Sequence, residues 1–253
     1  MRVVYGMNPV RELLRAGGGG IAELWLAEGA TRDRAFGELT RLSRGTAAKV
    51  RTAPRQKLDR LAGSQAHQGV VAVVADFRYR DLEELLVAAR ASGEPPLLVL
   101  LDGVEDPQNL GAIIRSAHAL GAHGVVIPRD RAAGVTPAAA KASAGAVEHC
   151  PVARVVNLAQ TLTVLKERGI WSIAADADGD RALPEVDLTG PVALVVGGEG
   201  RGVRPLVRRT CDHVARIPMA GQVASLNASV AAAIVLYEAA RQRRGRGGSA
   251  TGK

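Results

Sequence analysis

The chain has 253 residues, of which 47% are hydrophobic and 23% are charged, so it can bury a sizeable core and is neither disordered nor fibrous. Its net charge of +8 favours an anionic partner, and nucleic acid is the polyanion that this charge predicts. No stretch approaches the ~20 consecutive apolar residues that a membrane-spanning helix needs, so no such helix is predicted.

The cysteines and the N-terminus bear on where the protein works. Cys150 and Cys211 lie far apart, without a Cys-x-x-Cys pair or a histidine at zinc-finger spacing. This usage fits a reducing cytosol better than a disulfide scaffold, and it predicts no structural metal site. The first residues, MRVVYGMNPV, lack the apolar core of a secretion signal. We therefore expect a cytoplasmic protein that binds no metal.

The first third of the chain alternates short apolar runs with helical patterns. Strands are predicted at residues 2–5, 21–27 and 68–75, and helices at residues 9–16 and 31–43. Asn8 is the predicted cap of the first helix, with Pro9 at its first position. These elements predict a small α/β domain over residues 1–76.

Residues 77–96, FRYRDLEELLVAARASGEPP, differ in character from both flanks. Their first part has a pattern compatible with a short helix, and the Ser-Gly-Glu-Pro-Pro run that follows cannot continue one. This stretch is therefore predicted to be a linker between two domains.

From residue 97 onward, strands and helices alternate. The predicted strands are residues 97–102, 124–128, 151–156, 170–175, 192–196 and 214–218. The predicted helices are residues 110–120, 137–146, 158–168, 203–209 and 226–243. This alternation predicts a second α/β domain over residues 97–243, with a parallel sheet and helices on both of its faces. Residues 244–253 are expected to form a flexible basic tail.

Ligands bind beyond the carboxyl ends of strands in open α/β sheets, and three polar or glycine-rich segments follow strands here. The first is DGVEDPQNLGAIIR, residues 102–115. Asn109 and Arg115 are its candidate functional residues, about 240° apart around a helix. The alternative is that Asn109 only caps the helix and Arg115 is a surface cation.

The second segment is GGEGRG, residues 197–202, where the glycines indicate a close approach of the backbone to a ligand. A dinucleotide-binding loop would need a third glycine at Val203, and Glu199 would repel a pyrophosphate. A plain turn remains the alternative. The third segment, IPMAGQVASLNAS at residues 217–229, leads into a helix rich in small residues that is expected to be buried, between subunits in one interpretation.

Together, DGVEDPQNLGAIIRSAHALG, LVVGGEGRGV and IPMAGQVASLNASVAAAIVLYEA resemble the SpoU (TrmH-like) branch of the SPOUT methyltransferases, over roughly residues 95–243. YGMNPVRELL and HQGVVA in the first domain resemble the L30e-like substrate-binding domain of these enzymes. The combination is similar to the RlmB-like subgroup, which methylates the 2′-oxygen of guanosine in 23S ribosomal RNA.

The resemblance implies a deep trefoil knot, a homodimer and the cofactor S-adenosylmethionine, bound at the subunit interface. By motif position, the cofactor-binding residues are Gly197, Ile217 and Leu226. The polar functional set falls on Asn109, Arg115, Glu199, Ser225 and Asn227. In this interpretation Arg115 grips the target phosphate and stabilises developing charge, since a guanidinium is a poor base.

The roles implied for the other polar residues concern positioning. Asn109 and Glu199 would position Arg115 and the nucleotide, while Ser225 and Asn227 would fix the cofactor loop. One departure from the family pattern is Ala174-Ala175, where relatives often carry Gly-Thr, so a hydrogen bond to the adenosine is expected to be missing.

Other functions remain open at this point. The substrate can be tRNA, or the ribosomal RNA site whose methylation gives thiostrepton-type resistance. A non-catalytic RNA-binding assembly factor and a dinucleotide-dependent oxidoreductase are alternatives from other classes. The histidines show no ligand spacing, and His67, in the HQG turn, is expected to be structural.

Overall fold

The computed structural model describes residues 1–18, 20–29, 34–221, 223 and 225–247. The first three residues of the predicted helix 31–43 and residues 248–253 of the predicted tail lie outside the described residues. The chain divides into two compact units, and the division is not a simple cut along the sequence. One unit comprises Met1–Arg78 and Gly134–His149, and the other comprises Tyr79–Ala133 and Cys150–Lys253.

The first unit is built on a mixed four-stranded sheet in the order β1-β4-β2-β3. Its strands are β1 (Arg2–Tyr5), β2 (Ile21–Ala27), β3 (Lys49–Ala53) and β4 (Val70–Val74). Its helices before the second unit begins are α1 (Met7–Arg15), α2 (Arg34–Ser43) and α3 (Arg55–Ala62). The predicted cap of the first helix is wrong, because α1 begins at Met7 and Gly6 occupies the cap position.

Strand β3 and helix α3 were not predicted from the sequence. The strand lies at the edge of the sheet, and four of its five residues are exposed, so it lacks an apolar alternation. The helix buries only Leu58. Elements that bury so few residues show no hydrophobic periodicity from which they could be predicted.

Residues 134–149 belong to the first unit, although they were predicted to be part of the second domain. They contain α6 (Pro137–Ala142), which packs against β1, and a short 3₁₀ turn (Ala146–Glu148). Arg2 and Glu148 form an ion pair of 2.8 Å, and both side chains are largely buried. The Lys141 ammonium donates a hydrogen bond of 2.7 Å to the carbonyl of Ala66. These contacts could not be predicted from the sequence, because each joins residues that lie far apart in the chain.

The second unit is built on a parallel seven-stranded sheet in the order β7-β6-β5-β10-β8-β11-β9. Its strands are β5 (Leu97–Asp102), β6 (Gly124–Pro128), β7 (Val152–Val155), β8 (Trp171–Ala175), β9 (Arg181–Ala182), β10 (Val192–Gly197) and β11 (His213–Arg216). Its helices are α4 (Leu82–Ala91), α5 (Pro107–Ala119), α7 (Leu158–Glu167), α8 (Pro205–Thr210) and α9 (Ala228–Gly247). The predicted α/β fold with a parallel sheet is confirmed.

Helix α4 lies inside the stretch that was predicted to be a linker. Asp81 and Glu84 form a complete capping box at its start, and Leu85 and Leu86 are buried in the core of the second unit. The structure therefore assigns residues 79–96 to that unit. The DLEE sequence carries the capping signal, and the prolines that follow mark the end of the helix rather than a domain boundary.

The two central strands place the candidate site. Every residue of β5 is buried, and β10 is buried up to Val196, as expected for strands that helices cover on both faces. Strands β6 and β7, which follow β5 in the chain, extend the sheet to one side of β5, whereas β10 lies on the other side. Gly197 pairs with Asp102 at the carboxyl ends of the two strands. Ligands bind at such a point, where the strand order reverses.

None of the helices that the structure describes is both long and apolar enough to cross a bilayer.

The longest described helix, α9, carries Arg243, whose guanidinium donates hydrogen bonds to the carbonyls of Leu188, Gly190, Pro95 and Pro96 at 2.6 to 3.1 Å. One side chain therefore ties α9 to the segments that precede β5 and β10.

We expect Arg243→Met to lower the free energy of unfolding by about 2–3 kcal/mol, because four carbonyls lose a charged donor. Urea denaturation measures this loss. The matched control is Arg241→Met, which should change stability little, since Arg241 is exposed and its ion pair is with Glu238, three positions away on the same helix. Equal losses in the two variants would show that the carbonyl contacts do not stabilise the fold.

Candidate active site

The first segment, after β5, is organised by the start of α5. Asp106, rather than Asn109, caps this helix, because its Oδ1 accepts a hydrogen bond of 3.0 Å from the backbone N–H of Gln108. The alternative, that Asn109 only caps the helix, is therefore wrong. Asn109 lies in the first turn of α5 with its side chain buried, and its amide is free to bond elsewhere.

The Asn109 amide joins the three segments. Its Nδ2 donates a hydrogen bond of 3.0 Å to Glu199 Oε1, and its Oδ1 accepts one of 3.1 Å from Asn227 Nδ2. Asn227 Nδ2 also contacts Glu199 Oε1. The structure thus brings together three side chains that were predicted to share a site, although 90 and 118 positions separate Asn109 from the other two.

The second segment packs so tightly at its first two positions that both have to be glycine. A Cβ atom added at Gly197 would overlap the backbone of Gly202 and Val203, and one added at Gly198 would overlap the carbonyl of Gly103. By contrast, Gly200 has open space around it and a φ of +76°. The loop is therefore folded back on itself, with its backbone close to both strand ends.

Asp102 holds this loop from the end of β5. Its fully buried carboxylate accepts hydrogen bonds from the backbone N–H of Arg204 at 2.7 Å and from the Arg204 Nε at 2.6 Å. Its carbonyl accepts the N–H of Gly198 at 2.9 Å. The sequence reasoning missed this pair, although a carboxylate at the end of an apolar strand signals a charged partner.

A first cavity of about 650 Å³ opens beside the loop, at the ends of β8 and β10. The predicted site residues in its lining are Gly197, Glu199, Ile217, Ser225, Leu226 and Asn227. Asp176 and Met219 also line it. Apolar side chains, a glycine-rich backbone, the three carboxylates of Asp176, Asp178 and Glu199, and the guanidinium of Arg201 thus surround one space.

The strand-end pair Ala174-Ala175 borders this cavity. Ala174 is buried within β8, whereas Ala175 lines the cavity and offers no side-chain hydrogen bond. Asp176 follows directly, with its carboxylate in the lining. The polar group at this strand end is therefore one residue later than the family pattern suggests.

A second cavity of about 480 Å³ lies against the same loop. It shares Gly198, Glu199, Arg201 and Gly202 with the first cavity, and Asn109 lines it. Three cations, Arg131, Arg201 and Arg204, also line it, and none of them was predicted to be a site residue. Nothing in the sequence indicates that these three arginines lie together. The fold brings them to one cavity.

Arg115 is the one predicted polar residue that the single chain does not bring to the site. It is exposed on α5, lines neither cavity, and forms no ion pair with the residues that the structure describes. The buried face of α5 carries Leu110, Ile113 and Ile114, along with Asn109. The angular separation of Asn109 and Arg115 on the helix accounts for their different surroundings.

The two cysteines and His67 have structural roles. Burial raises the pKa of Cys150 and of Cys211 to about 12, so neither thiol is a nucleophile at neutral pH. The His67 ring is buried, with Nε2 2.9 Å from Asp59 and Nδ1 accepting the N–H of Gly69 at 2.9 Å. Among the described residues, no group of three or more histidine, cysteine or acidic side chains can hold a metal ion.

Two family models match the chain. The model described as the SpoU rRNA Methylase family matches residues 96–237. The model described as RNA 2′-O ribose methyltransferase substrate binding matches residues 3–80.

Individual proteins agree with these models. The Bacillus subtilis protein YacO, named as a TrmH-family tRNA/rRNA methyltransferase, is 47% identical over 95% of this chain and 95% of its own. The structure of the SpoU methyltransferase AviRb from Streptomyces viridochromogenes, in complex with AdoMet, has a TM-score of 0.80 and 32% identity, covering 96% of this chain and 90% of that one. The AdoMet-bound rRNA methyltransferase from Sinorhizobium meliloti has a TM-score of 0.78 and 26% identity, covering 95% and 87%.

Proposed function

The chain belongs to the SpoU methylase family of RNA methyltransferases, and from this premise we propose that it methylates the 2′-oxygen of a guanosine ribose in 23S ribosomal RNA, as an RlmB-like enzyme. The observation that carries the proposal is the network of Asn109, Glu199 and Asn227, which lies between two cavities at the strand-order reversal.

The cofactor is S-adenosylmethionine, which related structures contain, and the first cavity fits it. Ile217, Met219 and Leu226 offer apolar contacts for the adenine, and the glycine loop admits close backbone contacts. The carboxylates of Asp176 and Glu199 complement a positively charged sulfonium. When bound, this cofactor supplies an activated methyl group.

The residues of the chain have to orient the ribose and assist the loss of its hydroxyl proton. Each member of the Asn109–Glu199–Asn227 network restrains the others, so the Glu199 carboxylate is held in one place to accept a hydrogen bond. Ser225, in the lining beside Leu226, helps to hold the cofactor. Arg115 would grip a phosphate and stabilise negative charge that develops on the ribose oxygen.

Arg115 can serve this role if a second copy of the chain completes the site. Helix α9 packs against α5 and exposes Val230, Ile234 and Tyr237, which recur at helical spacing on one face. An exposed apolar face of this kind is typical of a protein interface. We propose a homodimer in which this face is covered and Arg115 reaches the partner's second cavity.

The choice of RNA is tested by mapping ribose methylation by mass spectrometry in cells that lack the protein. We expect one 2′-O-methylguanosine of 23S ribosomal RNA to disappear and to return when the purified protein and S-adenosylmethionine are added. Loss of a methyl group from tRNA instead would identify a tRNA enzyme. An unchanged pattern in all RNA would favour the non-catalytic assembly factor.

A further inference from the structure

We propose that the second cavity receives the target nucleotide and that Arg131 and Arg201 hold its phosphate; this inference rests on the proposed function. The loop Gly198–Gly202 lines both cavities, which share Gly198, Glu199, Arg201 and Gly202. If the methyl donor occupies the first, the acceptor has to approach from another side of the same loop. The second cavity is that approach, and its volume of about 480 Å³ suits one nucleotide.

The three arginines of this cavity differ in whether they form an ion pair within the protein. Arg204 is bound to the buried Asp102 carboxylate. Arg131 and Arg201 are exposed and form no ion pair within the described part of the chain. Both are therefore available to an anion, and a guanidinium matches the geometry of a phosphate.

Three of the four acidic residues in the lining are engaged within the protein, and one of them is Asp102, which pairs with Arg204. The Asp106 carboxylate caps α5, and the Glu199 carboxylate is bonded to Asn109 and Asn227. Glu105 is the remaining acid in the lining and is exposed. A nucleotide has an anionic phosphate, which the arginines can bind. Its ribose hydroxyls can donate hydrogen bonds to the Glu199 carboxylate.

The backbone of Arg131 adds an independent observation. This residue has a φ of +54°, in the left-handed region that few residues other than glycine adopt. The loop is held in place nearby by the hydrogen bond of 2.8 Å from the Ala133 N–H to the Val104 carbonyl. Strained residues cluster at ligand sites, and here the strained residue lines the cavity.

The test compares Arg131→Gln and Arg201→Gln with the matched controls Arg129→Gln and Arg209→Gln. The controls remove the same charge from exposed arginines that line neither cavity. For each variant we would measure the Kd and KM for a 23S ribosomal RNA transcript at several salt concentrations, and the Kd for S-adenosylmethionine. We expect Arg131→Gln to raise the KM for RNA about tenfold. The salt slope of RNA binding should fall by about 0.7 for the lost phosphate contact.

The outcomes separate this proposal from the one on which it rests. If the unmodified protein neither binds S-adenosylmethionine nor methylates any RNA, the proposed function fails. If it methylates RNA while the Arg131 and Arg201 variants match the controls in KM and salt slope, the cavity is not the nucleotide site. Variants that weaken self-association in ultracentrifugation, with an unchanged KM for RNA, would make the cavity a subunit interface and overturn the assignment.

Discussion

Arg115→Ala should lower kcat for RNA methylation by about 10²–10⁴-fold, which is the contribution expected of a group that stabilises charge or moves a proton in the transition state. The Kd for S-adenosylmethionine should change little, because Arg115 lies outside the first cavity. Single-turnover methylation and calorimetry measure the two quantities. Normal turnover in this variant would remove Arg115 from the mechanism.

A complementation experiment shows in which subunit Arg115 acts. In the proposed dimer, co-expressed and differently tagged chains that carry Arg115→Ala and Glu199→Gln would pair as a heterodimer. If Arg115 completes the partner's site, one of the two sites in the heterodimer is intact, and random mixing restores about a quarter of normal activity. If Arg115 acts within its own chain, every site carries a defect and activity stays at the level of the single variants.

Gly198→Ala should weaken S-adenosylmethionine binding by about 100-fold or more and abolish methylation. A Cβ atom at this position would overlap the carbonyl of Gly103, which is backbone and cannot move away cheaply. The loop Gly198–Gly202 would have to shift, and with it Glu199 and the wall between the two cavities. Calorimetric titration of the cofactor measures the loss.

The matched control is Gly190→Ala, since Gly190 has no atom within 4 Å of an added Cβ and no positive φ. This variant should bind the cofactor normally. Gly200→Ala tests a different cost, because the φ of +76° strains an alanine although the space is open. Near-normal binding in Gly198→Ala would mean that the cofactor does not depend on this loop.

Hydrophobic pattern and strand-end chemistry explain why the second sheet and its three polar segments could be predicted. The apolar runs of β5 and β10 admit one interpretation, and polar side chains after parallel strands converge at one edge. The segments that hold Asn109, Glu199 and Asn227 were located in this way, and the resemblance to the SpoU branch then implied these three residues.

Contacts between segments distant in the chain could not be predicted. Residues 134–149 join the first unit through side chains such as Arg2 and Glu148, which nothing in the local pattern connects. Arg131 and Arg201 come together only because the loop after β6 and the loop after β10 border one cavity. The helical angle between Asn109 and Arg115 indicated that the two residues lie on different faces of the helix. It did not indicate whether a partner subunit would place Arg115 close to the site.

The central claim is that the segments after β8, β10 and β11 form one cavity for a methyl donor next to the Asn109–Glu199–Asn227 network. A crystal structure of the protein with S-adenosylhomocysteine tests it most directly. We predict the ligand against Gly197, Ile217 and Leu226, in the first cavity and within reach of Glu199. Density for the ligand at another place, or none in crystals grown at saturating ligand, would contradict the account.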